Sequence, residues 1–223
     1  MKKFFLFISV SLLISSCNLF SSKEPQTDDD STGYDLSEKH DSLKLRQDST
    51  AFSTPDKETV LMELTKDILT IFKNQQYAKL DSFIHPTEGV RFSPYAHVSA
   101  ADKKYSKENF INLVTNERNK KINWGTYDGS GDPIVLTPKE YFNKFVYDAN
   151  FVNPGQAKVN EIIKTGNTIN NLQSFYQGSD FTESHFSGSS KTEGMDWKSV
   201  RLVFKQMDGK YYLVGIVHDQ WTI

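Results

Sequence analysis

The chain has a single cysteine, Cys17, among its 223 residues. A disulfide framework or a thiolate zinc site needs several cysteines, and a cysteine nucleophile needs one within the folded domain. No thiol follows Cys17, so these three kinds of chemistry are excluded for the downstream part of the chain. A domain without disulfides depends on its hydrophobic core for stability.

The chain also lacks an excess of positive charge. It carries 26 Lys+Arg against 28 Asp+Glu, a formal net charge of -2. Residues 57–223 are close to neutral, with 20 basic and 19 acidic side chains. A protein that binds polyanions is expected to show a strong basic excess, so we predict no nucleic-acid partner.

Long apolar runs are restricted to the N-terminal leader. Lys2 and Lys3 precede an apolar run over residues 4–14, which Ser9 and Ser11 interrupt. As a helix this run would cover about half of a bilayer core of ~30 Å, which is typical of a signal peptide and too short for a membrane span. We predict a signal peptide over residues 1–16.

The residues after this run predict a lipid anchor. The segment "ISSC", which ends at Cys17, resembles the lipobox of bacterial lipoproteins. The resemblance implies that the cysteine thiol receives a diacylglycerol and that further acylation makes the anchoring stable. We therefore expect a lipoprotein of the bacterial cell envelope, bound to the membrane through Cys17 and facing the periplasm or the cell surface. The alternative is an ordinary secreted protein in which Cys17 is incidental.

Residues 17–56 have the composition of a flexible tether. Residues 18–56 hold nine acidic and four basic side chains, with many Ser, Asp and Thr and few apolar residues. Such a segment cannot bury enough surface to offset the entropy of ordering. The alternative is a linear motif that binds a partner.

The first half of the remaining domain, residues 57–223, shows helix signals. Thr54 and Pro55 are typical of a helix start, and apolar residues then recur at three- and four-residue spacing. A shorter helix is predicted to end at His85, before Pro86. Ser106 is a predicted cap for a third helix, and Thr137 to Glu140 form a capping box that opens a fourth.

The second half shows strand signals. Strands are predicted over residues 90–98, 157–163, 181–186, 197–207 and 210–222, with Pro94 demoting the first to an edge strand or a bulge. Asp208 and Gly209 join the last two because this dipeptide tolerates the positive φ of a tight hairpin. Helices first and antiparallel strands last predict an α+β fold in a single domain.

Several segments then resemble a known fold family. The segment "QQYAKLDSFIHP" and the closing "WKSVRLVFKQMDGKYYLVGIVHDQWTI" are similar to the NTF2-like (cystatin-like α+β) fold, and "WGTYDGSGDPI" and "EYFNKFVYD" resemble uncharacterised bacterial envelope lipoproteins. The resemblance implies helices packed on a strongly curved antiparallel sheet that leaves a conical pocket. Such domains include isomerases, dehydratases, binding modules and adaptors, so the fold does not decide the function.

Four polar residues on the predicted strands are candidates for acid–base catalysis. Glu183 and His185 share one face of a strand, about 7 Å apart. His218 and Asp219 are neighbours in the last strand, so only one of them can face the concave side. The alternative is a set of polar residues on a half-solvated sheet face, with one histidine hydrogen-bonded in the core.

Aromatic residues and a glycine-rich loop suggest further sites. Tyr95, His97, Trp124, Tyr141 and Phe145 could line a ligand pocket, although aromatics at helical spacing are more often plain core. The loop Asp128, Ser130 and Asp132 is a candidate for binding a hard cation. Pro133 and Lys139 stand where an EF-hand needs glycine and a carboxylate, so a turn capped by its own carboxylates is the alternative. The histidines lack the spacing of a zinc site, and we predict no cofactor.

The sequence supports three functional hypotheses. The first is a non-catalytic, lipid-anchored binding module with a pocket for a small molecule or a peptide. The second is a small cofactor-independent isomerase or lyase that uses the candidate carboxylates and histidines. The third is an envelope scaffold that forms a homodimer through the outer face of its sheet.

Overall fold

The computed structural model describes residues 56–222. The predictions for the signal peptide, Cys17, the tether up to residue 55, and Thr54-Pro55 therefore concern residues outside this range. Within residues 56–222, no helix combines the length and the apolar character required to cross a membrane.

The first helix begins with a side-chain cap that the sequence prediction did not use. Helix α1 spans Lys57–Lys73, and the carboxylate of Asp56 accepts a hydrogen bond of 3.0 Å from the backbone amide of Thr59. This bond satisfies one of the four amides that lack a partner at a helix start. The predicted second helix is a shorter 3-10 turn over Tyr77–Ser82.

Three further α-helices follow in the described part of the chain. Helix α2 spans Lys107–Thr115 and is capped by Ser106, as predicted. Helix α3 spans Pro138–Phe145, and both hydrogen bonds of the predicted capping box between Thr137 and Glu140 are present. Helix α4, Leu172–Phe175, was not predicted.

Residues 56–222 contain eight strands, and six of them form one sheet. They are β1 (Val90–Ser93), β2 (Lys103–Tyr105), β3 (Ile122–Thr126), β4 (Pro133–Leu136), β5 (Gln156–Val159), β6 (Asp180–Phe186), β7 (Lys198–Met207) and β8 (Lys210–Gln220). The sheet order is β2-β1-β8-β7-β6-β5, and β3 and β4 form a separate hairpin. The architecture is therefore α+β, as the sequence predicted.

The sheet is mixed, so the prediction of an antiparallel sheet is wrong in part. Strand β1 runs parallel to β8, whereas the other neighbouring pairs are antiparallel. A parallel pair needs a long connection, and the chain between β1 and β8 supplies one. Strand β1 also ends at Ser93, short of the predicted residue 98, because Pro94 has no amide proton for a ladder.

The β7–β8 hairpin has the predicted turn but also a bulge. Asp208 and Gly209 have positive φ values of 52° and 75°, as the tight turn requires. The register shifts beyond it, since Phe204 pairs with Leu213 and Val203 with Gly215. The unpaired residue between them, Val214, changes which later side chains share a face with Leu213.

Both faces of the sheet are covered. One face carries the main core, in which Phe92, Leu202, Phe204, Leu213 and Ile216 pack with residues of α1 and α3. The other face carries a smaller cluster of Val98, Leu172, Phe181, Val203, Val214 and Val217. The apolar residues of this outer face therefore already pack against Leu172 of α4, which weakens the hypothesis of a dimer formed through that face.

Candidate functional site

Glu183 and His185 share one face of β6, as predicted, but this face points away from the main core. Between them in the chain, Thr182 and Ser184 point to the opposite face, where the Thr182 hydroxyl lies 2.7 Å from the hydroxyl of Thr65 in α1. Glu183 is 0% exposed and His185 is 5% exposed. The two side chains are therefore buried on the outer face and do not project into a space between sheet and helices.

The carboxylate of Glu183 is surrounded by donors. It accepts hydrogen bonds from the Ile163 amide at 3.1 Å, from the Ser199 hydroxyl at 2.6 Å and from Arg201 Nε at 2.9 Å. Arg201 reaches it because the two residues face each other in register on β6 and β7. A carboxylate held by three donors, one of them charged, is a structural group and not a free base.

Arg201 also binds the second candidate carboxylate. Its Nη2 donates to Asp219 Oδ2 at 2.9 Å and to the carbonyl of Lys164 at 2.7 Å. Arg201 is 0% and Asp219 1% exposed, so this ion-paired group lies fully inside the protein. Burial raises the pKa of Asp219 even though the guanidinium of Arg201 opposes the shift.

His185 is linked to this group through Ser199. Its Nδ1 lies 2.9 Å from the Ser199 hydroxyl, and its ring packs against Trp197. Burial lowers the pKa of His185, which keeps the ring neutral. In a Ser-His-acid triad the acid contacts the histidine, whereas here Glu183 contacts the serine, so the arrangement does not activate a nucleophile.

His218 lies on the opposite face from Asp219, which confirms that only one of the two faces the main core. Its Nε2 lies 3.1 Å from Asp148 Oδ1, and Asp148 forms a second ion pair of 2.7 Å with Lys198. Burial raises the pKa of Asp148, but the hydrogen bonds and charges of His218 and Lys198 outweigh it and the net pKa is lowered. This geometry matches the alternative of a histidine bonded into the core.

Three of the predicted pocket residues belong to the main core. Trp124 stacks on Tyr141 with ring centroids 4.0 Å apart, and Tyr141 contacts Phe145 at 5.2 Å. Each of these side chains is 1% exposed. They fill the interior as a layer of aromatic rings and do not line an open cavity.

The other two predicted pocket residues, Tyr95 and His97, line an open cleft. This cleft has a volume of about 430 Å³ and lies between residues 94–102 and the β3–β4 hairpin; we call it the tyrosine cleft, after Tyr95 and Tyr127. The ring of Tyr95 lies 5.7 Å from that of Phe145, and the ring of Tyr127 lies 6.3 Å from it. The tyrosine cleft therefore rests directly on the buried aromatic layer.

Of the predicted cation loop, only Asp128 lines this cleft, and the loop side chains accept hydrogen bonds from nearby protein groups. Asp128 accepts from the Gly129 amide and from the Thr168 hydroxyl, and Ser130 accepts from the Asp132 amide. Hydrogen bonds from Thr222 and Thr168 lower the pKa of Asp128. Within residues 56–222, no group of three or more His, Cys, Asp or Glu side chains is placed to hold a metal ion.

A second cleft, of about 520 Å³, runs along α1. It is lined by apolar side chains such as Met62, Leu69 and Phe151, together with acidic residues and Lys66.

Sequence analysis did not identify Arg201, Ser199 and Asp148, the residues that hold the candidate catalytic groups. Ser199 and Arg201 alternate with Val200 and Leu202 on β7, and this alternation of polar and apolar residues was the available signal. Comparison with protein-family models, with curated proteins and with solved structures found no match.

Proposed function

We propose that the protein is a lipid-anchored binding module of the bacterial cell envelope, and that the tyrosine cleft binds its ligand, a small molecule or a peptide. The observation that carries the proposal is the cleft itself, a concave surface that combines aromatic rings with hydrogen-bonding side chains. Its volume of about 430 Å³ falls in the usual range for ligand sites.

Acid–base catalysis is the weaker proposal. The isomerase or lyase hypothesis needs carboxylates that are free to exchange a proton with a substrate. Glu183 and Asp219 are instead bound to Arg201 in the interior. His218 is bound to Asp148 on the other face of the sheet.

The fold proposal is an NTF2-like cone. It is supported by α1 and α3 packing on one face of the six-stranded sheet, and by the bulge at Val214, a feature that bends a strand. In this protein, aromatic side chains fill the interior beneath the sheet, so the ligand site is proposed at the edge of that layer and not within it.

The anchor proposal concerns Cys17 and residues 1–16. It is supported by the order of charge, apolar run and cysteine in the sequence. Labelling of the protein with palmitate and its recovery in the membrane fraction are expected for the native chain and not for Cys17→Ser. Equal labelling of both would contradict the lipid anchor.

Binding in the tyrosine cleft is tested with two neighbouring alanines. Ala101 lines the cleft and Ala100 is exposed beside it without being a lining residue. Ala101→Trp fills the cleft, and Ala100→Trp is the matched control. A thermal-shift screen of small molecules and short peptides is expected to yield ligands that Ala101→Trp rejects and Ala100→Trp retains. Ligands that bind both variants equally would show that the site lies elsewhere.

A further inference from the structure

The chemistry of the tyrosine cleft excludes one class of ligand. Its lining residues include two carboxylates, Asp102 and Asp128, and neither lysine nor arginine. Sites for phosphate or carboxylate ligands normally use arginine, lysine or a set of backbone amides. An anionic ligand would therefore find no charged donor among the side chains that line the cleft.

Asp102 is held in one orientation and still has an acceptor atom to offer. Its Oδ2 accepts hydrogen bonds from the Ser93 hydroxyl at 2.5 Å and from the Ser99 amide at 2.9 Å. Its Oδ1 accepts none from the residues that the structure describes. An ionised carboxylate only accepts hydrogen bonds, so the matching ligand group is a donor, either a hydroxyl or an amine.

Nearby cations favour a neutral donor over an ammonium group. Arg91 does not line the cleft but donates to the backbone carbonyl of Asp102 at 2.9 Å. The ammonium group of Lys144 lies 4.7 Å from the ring centroid of Tyr127. These two positive charges offset the two carboxylates, so a ligand cation would gain little net attraction.

The remaining lining groups suit a ligand that is polar at its edges and apolar on its faces. The hydroxyls of Ser99, Thr126 and Thr168 and the ring of His97 supply donors and acceptors around the cleft. The two tyrosine rings supply flat apolar surfaces. A pyranose ring has hydroxyls along its edge and C–H groups on its faces.

We propose that the tyrosine cleft binds a neutral saccharide unit. The inference rests on the proposed binding function and names the ligand class for the same site. Asp102 accepts hydrogen bonds from one or two sugar hydroxyls, and Tyr127 packs against the C–H face of the sugar. The hydroxyl side chains around the cleft form the remaining hydrogen bonds.

Saturation-transfer difference NMR on the full-length protein tests the inference. The protein is kept in a detergent without a sugar headgroup, because maltosides would occupy a saccharide site. The neutral probes are N-acetylglucosamine, chitobiose, galactose, lactose and mannobiose, and the charged comparators are glucuronate and lysine amide. Chitobiose is also compared with insoluble chitin, to separate binding of a free sugar from binding of a polymer unit.

At least one neutral probe is expected to bind in preference to both charged comparators. Ala101→Trp and Asp102→Asn are each expected to weaken that binding by about tenfold or more, and Ala100→Trp to leave it unchanged. Tyr127→Leu is expected to weaken it more than Tyr127→Phe, which keeps the ring. These two tyrosine variants keep the test valid if Asp102→Asn disturbs the turn around Ser99.

Two outcomes overturn the inference, and they separate it from the proposed function. If no neutral saccharide binds, free or as chitin, or if binding survives Ala101→Trp, the saccharide assignment is wrong. If other small molecules or peptides then bind and Ala101→Trp blocks them, the binding module stands with a different ligand class. If Ala101→Trp blocks none of the ligands that the protein binds, the proposed function falls as well.

Discussion

Replacing Arg201 with methionine should be among the most damaging single changes in the described part of the protein. Arg201 neutralises Glu183 and Asp219, all three being at most 1% exposed. Methionine replaces the aliphatic stem of arginine but carries no charge, so Arg201→Met leaves two buried carboxylates without a counter-charge. Breaking a buried ion pair in this way costs about 3–5 kcal/mol.

That cost is a large part of the total free energy of unfolding. Domains of this kind are stable by about 5–15 kcal/mol. With a urea dependence of about 2 kcal/mol per molar, the unfolding midpoint should fall by about 1.5–2.5 M. Urea unfolding followed by tryptophan fluorescence measures this, and Trp197 lies beside His185 as a local reporter.

Lys205 on the same strand is the matched control. It forms an ion pair with Glu88 at the surface, where its side chain is 46% exposed. Lys205→Met should cost less than about 1 kcal/mol, because solvent screens exposed pairs. Adding Glu183→Gln to Arg201→Met should restore about 1 kcal/mol or more, since it removes one unpaired charge. The reasoning is refuted if Arg201→Met costs no more than Lys205→Met.

Three further predictions concern local features. Burial lowers the pKa of His185 below its ordinary value of 6.5. Below pH 6.5 this histidine is therefore protonated to a greater extent in the unfolded chain than in the folded protein. Stability should therefore fall as the pH drops from about 7 to 5, and fall less in His185→Gln, as measured by urea midpoints at both pH values. Thr137→Ala should cost about 1 kcal/mol through loss of the capping box, whereas Thr137→Ser should cost little. Gly209→Ala should cost about 1–2 kcal/mol because this turn residue has a φ of 75°. Gly155→Ala should be nearly neutral, since its nearest neighbour to an added Cβ is 3.7 Å away. Parallel pH profiles, equal costs for the two Thr137 variants, or equal costs for the two glycines would each contradict the corresponding prediction.

Features determined by a few adjacent residues could be predicted from the sequence. The capping box of Thr137 and Glu140 and the turn at Asp208 and Gly209 each depend on side chains within three positions of one another. The α+β order followed from the spacing of apolar residues. The position of Glu183 and His185 on the same face followed from the alternation of side chains along a strand.

Features that depend on pairing between residues far apart in the chain could not be predicted from the sequence. The bulge at Val214 adds one residue to β8, so alternation counted from Leu213 places later side chains on the wrong face. The parallel pairing of β1 with β8 joins residues more than a hundred positions apart. Arg201 lies 18 positions from both Glu183 and Asp219, and only the pairing of three strands brings them together.

The contacts of Arg201 also restrict how the three central strands can pair. Glu183, Arg201 and Asp219 belong to β6, β7 and β8; Glu183 lies directly opposite Arg201, and Asp219 lies diagonally from it, opposite Ser199. If β7 slipped by one residue, Arg201 would exchange faces with Leu202 and its charge would enter the main core. An apolar face alone would tolerate a slip of two residues, because side chains of similar character would replace one another. A slip of two would still take Arg201 out of its place directly opposite Glu183, so this one arginine favours the present alignment of β6 and β7.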